Sequence, residues 1–387
     1  MHLHRIGLCL ALVLSSCSAR STLPQDAYVW QRAWKPALST SMRQAAPLIR
    51  DWRILAAEAD ENGQLRVNRI DWPTVNASGK PVIMVIRIDG QLPVLEQPAL
   101  RKQIVALWNE WRTRTRLIGI EIDHDCASAR LDTYARFLAR LRQETGQETR
   151  LYMTALPSWL GSRSLDALLA EVDEAVLQVH AVENPQSGLF NQDQALRWIM
   201  AFSLHHKPFR VALPTYGSRI GFARNGRVVS VTSEVPAEDQ ADDEAEWIVP
   251  PQQVAALLAT LNAHPVDNLQ GIAWFRLPTA DDQRSWGLAT WMSIINGQPL
   301  HPRLTLRLEP QEQAQLFDLV LSNTGSSDAE LPIDITVPCP LGDAVAGYTA
   351  TPEFNRYRFT RIQPGLLHPG QHKLIGWLRC PGGVPHG

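Results

Sequence analysis

Between Ala27 and Ile295 the chain repeats one pattern: a short apolar run of strand length, then a longer stretch with apolar residues three or four positions apart. The runs are Ala27–Trp34, Arg53–Ala59, Val82–Asp89, Leu117–Asp123, Arg150–Ala155, Ala175–Ala181, Phe209–Pro214 and Gly271–Leu277. Among the longer stretches, Pro98–Thr115 sets Ile104, Leu107, Trp108 and Trp111 on one stripe, and Ala129–Glu144 does the same with Leu131, Tyr134, Leu138 and Leu141. Leu165–Val172, Gln192–His205, Pro251–Asn262 and Gln283–Ile295 follow the same helical period. Pro98 and Pro251 suit helix starts, and Gly146 suits a helix end. Strands alternating with helices over eight units predict an α/β chain built on a (β/α)8 TIM barrel. A doubly wound open sheet would normally carry a Gly-rich phosphate loop after its first strand, and none is present. The second unit fits least well, because Asn62–Gly79 is turn-rich and shows no clear helix.

Inside the fourth run, three acids occupy every second position: Glu121, Asp123 and Asp125. Side chains alternate across a strand, so all three point to one side. Carboxylates sharing one buried face repel each other and lose hydration, which drives their pKa values apart. Such split pairs are what the cleavage of glycosidic bonds uses.

The N-terminus reads as a targeting segment. His4 and Arg5 precede an apolar stretch from Ile6 to Leu14, too short for a stable membrane anchor, and Leu14-Ser15-Ser16-Cys17 follows. This resembles a bacterial lipoprotein signal over residues 1–17, with Cys17 as the lipidated first residue of the mature chain. Ser18 after the cysteine implies an outer-membrane lipoprotein facing the periplasm, tethered by a linker over 18–25. An ordinary cleaved secretory signal is the alternative. A periplasmic location permits disulfides, and Cys339 and Cys380 fall in one β-rich region and are expected to pair. Cys126 is left as a buried, inert thiol. The net charge of -2, with no basic stripe, excludes a nucleic-acid partner. The 13 Trp against 6 Tyr suit stacking on sugars as well as core filling.

The barrel is expected over 26–298, with an insertion at 218–250. Within it, Ile220–Val231 reads as a hairpin turning at Asn225-Gly226, and Glu234–Glu246 as a solvated acidic loop. From Arg303 the apolar period changes to two, which predicts a small C-terminal β-sandwich over 303–387. Barrel active sites lie at the C-terminal strand ends. Those ends offer Arg32, Glu58, Asp60, Arg87, Asp89, the three acids, Gln178, His180, Glu183, Tyr216, Trp274 and Arg276. One bland account is a set of ion pairs joining Arg87 or Arg276 to Glu121 or Asp123. A metal on His124, Asp125 and His180 lacks supporting ligand spacing, and no metal or other cofactor is expected.

Residues Gly119–Asp125 resemble the fourth-strand signature Asp-x-x-Asp-x-Asp-x-Glu of the family 18 chitinase-like glycoside hydrolases. Ile118, Glu121, Asp123 and Asp125 stand at its four positions, Asp125 at the catalytic Glu. Ala212–Gly217 is similar to that family's Pro-x-Tyr-Gly segment, and Gly271–Trp274 to its eighth-strand segment, whose Trp floors the sugar site. Strand six carries Gln178 and His180 where that family has a Tyr-Asp pair for an N-acetyl group. The chain resembles more closely the domain-of-unknown-function family 3142, through Asp123-His124-Asp125-Cys126, Gln178-Val179-His180, Tyr134 and Pro157-Ser158-Trp159. The resemblance implies a glycoside-hydrolase-like barrel acting on a polysaccharide or oligosaccharide. Asp125 is expected to be the general acid and Asp123 its charge partner. Glu121, Gln178, His180, Tyr216, Trp274 and Arg276 are expected to bind substrate. The alternative is a non-catalytic envelope lipoprotein that binds glycan or scaffolds a partner.

Overall fold

The computed structural model of the chain describes residues 23–180, 188–222, 228–232 and 243–380, apart from 283, 314, 346 and 355. Eight parallel strands form its centre: β1 (Gln25–Val29), β2 (Trp52–Ala59), β3 (Val82–Ile88), β4 (Leu117–His124), β5 (Leu151–Ala155), β6 (Glu174–Gln178), β7 (Phe209–Pro214) and β8 (Leu269–Phe275). Each pairs with its successor, and β8 pairs with β1, so the sheet closes into a barrel with no free edge among these strands. The helices are α1 (Pro36–Ala45), α2 (Trp72–Ala77), α3 (Pro98–Trp111), α4 (Leu131–Thr145), α5 (Leu165–Ala170), α6 (Gln192–Ser203), α7 (Pro251–Ala263) and α8 (Leu288–Ile295). The predicted (β/α)8 class therefore holds.

Several boundaries differ from expectation. The first strand stops at Val29 rather than Trp34. The second unit does contain a helix, α2, which Asp71 caps by accepting from the Thr74 amide at 3.3 Å. The eighth helix starts at Leu288, because Trp286 is tucked into the core and its indole donates to the Val249 carbonyl at 2.8 Å.

Strand alternation sorts the residues into two cores. The outward set, including Ile54, Met84, Ile122, Leu177 and Leu213, packs under the helices. The inward set holds Tyr28, Leu55, Val85, Val176, Ala212 and Ala273 at mid-barrel. Below that layer lies a buried ionic floor. The Arg53 guanidinium contacts Asp26 at 3.0 Å, Glu174 at 3.3 Å and also Glu121, while Arg210 contacts Glu174 at 2.8 Å and Asp26 at 3.2 Å. Gly271 leaves the space this needs, since a Cβ there would stand 2.1 Å from the Arg210 guanidinium.

After β7, strands Ser218–Phe222, Val228–Thr232 and Asp243–Trp247 form a small antiparallel sheet. Its first two strands are the predicted hairpin, and the turn at Asn225-Gly226 lies outside the described residues. Asp243–Trp247, expected as loop, is the third strand. The C-terminal region is antiparallel throughout, with two larger sheets and a short two-stranded one, Ala329–Glu330 with Leu366–Leu367. Leu304–Pro310, Leu316–Asn323, His372–Arg379 and Leu341–Ala344 make one larger sheet, and Asp334–Val337, Arg356–Arg361 and Tyr348–Glu353 the other. Cys339 and Cys380 are disulfide-bonded within its core, as expected. Cys17 and the signal lie outside the described residues; among the described residues no helix is long and apolar enough to cross a membrane.

Candidate active site

At the C-terminal mouth of the barrel, one cavity of about 260 Å³ collects side chains from seven of the eight strands or the loops just beyond them. From β1 come Tyr28 and Trp30, from β3 Arg87, from β4 Asp123 and Asp125, and from β5 Thr154. From the end of β6 comes Gln178, from beyond β6 and β7 come His180, Tyr216 and Ser218, and from β8 Phe275. The volume sits just below the ~300–1,000 Å³ usual for small-molecule sites, so it accommodates a single ring or a small group, not a long chain end to end.

The three acids of β4 share a face as predicted, but they sit at different depths. Glu121 belongs to the ionic floor. Tyr28 donates its hydroxyl to one carboxylate oxygen, and Arg53 pairs with the other. Glu121 is fully buried and does not line the cavity, which corrects its expected role in binding substrate. Its partner is Arg53 rather than Arg87 or Arg276. Asp123 is buried at the cavity base and accepts from the Thr154 hydroxyl at 2.6 Å. Asp125 stands at the rim, one residue past the end of β4.

Burial by the walls of the mouth and the negative charge of Asp123 push the Asp125 carboxyl up to about 7, and Arg87 opposes them. Asp125 still meets solvent in the cavity, so water tempers the first cause, and the like charge of Asp123 raises the value in the same direction. Neither acid has an ion pair within 4 Å among the described residues. The backbone of Asp125 is held from behind. A Cβ at Gly90 would lie 2.1 Å from the Asp125 carbonyl oxygen, so only glycine lets the loop after β3 pack there.

Burial lowers His180 to about 4. The ring is therefore neutral near pH 7, and since Nδ1 faces the Ala212 carbonyl at 3.2 Å it carries the proton. Nε2 is left as an acceptor. The ring stacks on Phe275 with centroids 5.5 Å apart and meets Tyr216 edge-on at 5.7 Å. Phe275 also touches Trp30 at 4.8 Å, Tyr28 at 5.4 Å and Tyr216 at 5.5 Å. It is the hub of an aromatic wall facing the acids.

Two further expectations are overturned. Trp274 points out of the barrel, packs against Trp286 and Trp291, and donates to the Gln25 side chain at 2.7 Å. It is fully buried and cannot floor a sugar site; Phe275, one residue on, has the inward parity. Arg276 pairs with Asp282 beneath Tyr216, its guanidinium 5.8 Å from that ring, and does not line the cavity. His124 faces α4 against Tyr134, away from Asp125 and His180. The Cys126 thiol is buried and pushed up to about 11 by desolvation, which leaves it without nucleophilic character near neutrality. Arg32 and Glu58 pair with each other at the rim. Glu183 lies outside the described residues. Sequence reasoning does not single out Tyr28, Trp30, Thr154, Ser218 or Phe275; counting parity outward from Asp123 would mark the strand positions among them.

Residues 78–280, more than half of the chain, match the family described as a domain of unknown function, DUF3142. The chain belongs to this family. Residues 306–381, the sandwich of this DUF3142 protein, match a second domain of unknown function, DUF8456. No curated protein sequence matches the chain. Among solved structures, the DUF3142 barrel resembles the spore cortex-lytic enzyme SleL of Bacillus cereus, at 14% identity and a TM-score of 0.53 over 73% of this chain and 76% of that one. It also resembles a chitinase of Chromobacterium violaceum, at 13% identity and a TM-score of 0.51 over 71% of this chain and 98% of that one. At these identities the likeness is one of fold, that of chitinase-like glycoside hydrolases.

Proposed function

We propose that this barrel hydrolyses a glycosidic bond in a polysaccharide or oligosaccharide, with Asp125 as general acid. The acid pair carries the proposal: two carboxyl groups on one face of β4, open to one cavity, with Asp125 raised to about 7. A carboxylic acid that keeps its proton near neutrality can give it to the leaving oxygen as the bond breaks. Asp123, held by Thr154, stabilises the positive charge that develops at the sugar carbon or orients a neighbouring group. The His180 Nε2, the Tyr216 hydroxyl and the Gln178 amide hydrogen-bond sugar hydroxyls, and the Phe275 wall receives a ring face. This acid–base chemistry draws on side chains alone. A saccharide as partner also agrees with the chitinase among the similar folds.

A non-catalytic glycan-binding or scaffolding role is the second reading. It is favoured by Asp125 being one methylene shorter than the Glu of the chitinase-like signature, because a misplaced donor costs orders of magnitude in rate. One experiment separates the two. Wild type and Asp125→Asn are incubated with a panel of polysaccharides, and new reducing ends are measured. The catalytic proposal expects release by wild type and a loss on the order of 10²- to 10⁴-fold in the variant. Equal release removes Asp125 from the mechanism, and binding without release supports the second reading.

We also propose that Cys17 carries lipid and holds the barrel on the outer membrane, facing the periplasm. The Leu14–Cys17 motif and the Cys339–Cys380 disulfide, which suits an oxidising compartment, support this. Cells fed an alkyne fatty acid should label the full-length protein, and Cys17→Ala should abolish the label.

A further inference from the structure

Arg87 is a cation in the mouth that no acid among the described residues has taken. Strand register places it between Glu58 of β2 and Asp123 of β4. Glu58 is already engaged, since Arg32 donates to both of its oxygens at 2.7 and 2.6 Å. Arg87 makes no ion pair within 4 Å among the described residues. Its guanidinium instead lies 6.0 Å from the ring centre of Trp30, the residue just past β1 and two strands from β3, and both line the cavity that holds the acid pair. The side chain remains exposed in the cavity.

The competing energies make this placement informative. A charge-assisted hydrogen bond to a carboxylate is about twice as strong as a neutral one. An exposed cation–π contact at the edge of its range is worth only about 0.5–1 kcal/mol. An arginine serving only to neutralise the acids would close on Asp123, its neighbour in the register. Held over Trp30, it presents its donors to the cavity beside an aromatic surface. The planar guanidinium matches a carboxylate through two parallel hydrogen bonds, a geometry that a neutral sugar hydroxyl cannot fill.

We propose that the saccharide this site takes is acidic, a uronic acid or another carboxyl-bearing sugar, with its carboxylate docked on Arg87 and its ring against Trp30 and Phe275. This rests on the glycosidase proposal for the same cavity and adds the substrate class. In a hexuronic acid the ring oxygen is flanked by the anomeric carbon and by C5, the carbon that bears the carboxyl group. One ring can therefore turn its carboxylate to the β1–β3 side and its scissile bond to the β4 side. Arg87 then also offsets the repulsion that Asp123 and Asp125 exert on an anionic substrate.

The test uses the full-length protein and matched probes: trigalacturonate, trimannuronate and a hyaluronan tetrasaccharide, each beside its carboxyl-reduced counterpart. Binding is measured by calorimetry for wild type, Arg87→Gln and Asp125→Asn. At least one acidic probe should bind wild type tenfold or more tightly than its neutral twin. Arg87→Gln should erase that preference, and Asp125→Asn should keep it. The inference is overturned if wild type prefers no acidic probe, whether by equal binding or by none, or if Arg87→Gln leaves the preference intact. A preference with no cleavage of any probe sinks the hydrolase proposal and leaves the acidic-ligand inference standing. Asp125-dependent cleavage of neutral twins as fast as acidic probes does the reverse.

Discussion

Asp125 differs from Glu121 less in chemistry than in company. Two turns of the strand alternation separate a carboxylate joined to Arg53 and Tyr28 from one that, among the described residues, feels chiefly Asp123 and an opposing Arg87. The pH dependence follows from the second environment. Activity that needs protonated Asp125 should be full below about pH 7 and fall tenfold per unit above it. Asp123→Asn removes the like charge, so whatever activity survives should have this alkaline limb displaced to lower pH; a pH–rate profile of both proteins reads the shift. His180 is neutral down to about pH 4 and should add no limb near neutrality. At this scale the sequence is readable wherever parity is unbroken. Asp123, Asp125, Gln178, His180 and Tyr216 all reach the cavity. Trp274 is misread because residue type outweighs parity in the inference: the Trp looks like a sugar platform, while the inward position belongs to Phe275.

Among the elements, the barrel strands show how far polarity can be buried when it is paired. The ionic floor joins β1, β2, β4, β6 and β7 through Asp26, Arg53, Glu121, Glu174 and Arg210. Removing one partner leaves uncompensated charge in the interior, at a cost of roughly 3–5 kcal/mol. Arg53→Met should therefore lower stability by that amount in urea unfolding monitored by Trp fluorescence. A loss below about 1 kcal/mol would mean that water enters the floor and screens Glu121. The floor is hard to foresee, because the pairing spans 27 to 184 positions in sequence and depends on barrel closure. Strand extents are easier. β7 spans Phe209–Pro214 as expected, since Pro208 precedes it and Pro214 ends it. α2 escapes notice because six residues that include Pro73 carry too little periodicity to register.

For the molecule as a whole, the alternation of strands and helices gives the barrel, and the change of period after Arg303 gives the sandwich; what joins them is less visible. The Cys339–Cys380 bond closes a loop with a sequence separation of 41, for which chain entropy predicts a stabilisation of about 4 kcal/mol. Cys380→Ser should lower the thermal midpoint of the sandwich, followed by calorimetry, and added reductant should have no further effect on that variant. The joint itself runs through Asp328, a fully buried sandwich residue. Its carboxylate accepts from the Gly287 amide at the start of α8 at 2.8 Å and faces His368 at 2.9 Å, and its own amide donates to the Thr290 hydroxyl at 2.8 Å. Gly287 has no side chain to cap its own helix, so the last helix of the barrel borrows its cap from the neighbouring domain. Recombination at 297–302 would therefore not yield an interchangeable module. A foreign C-terminal partner would have to supply an acid at that same spot, which binds the inheritance of the two halves together.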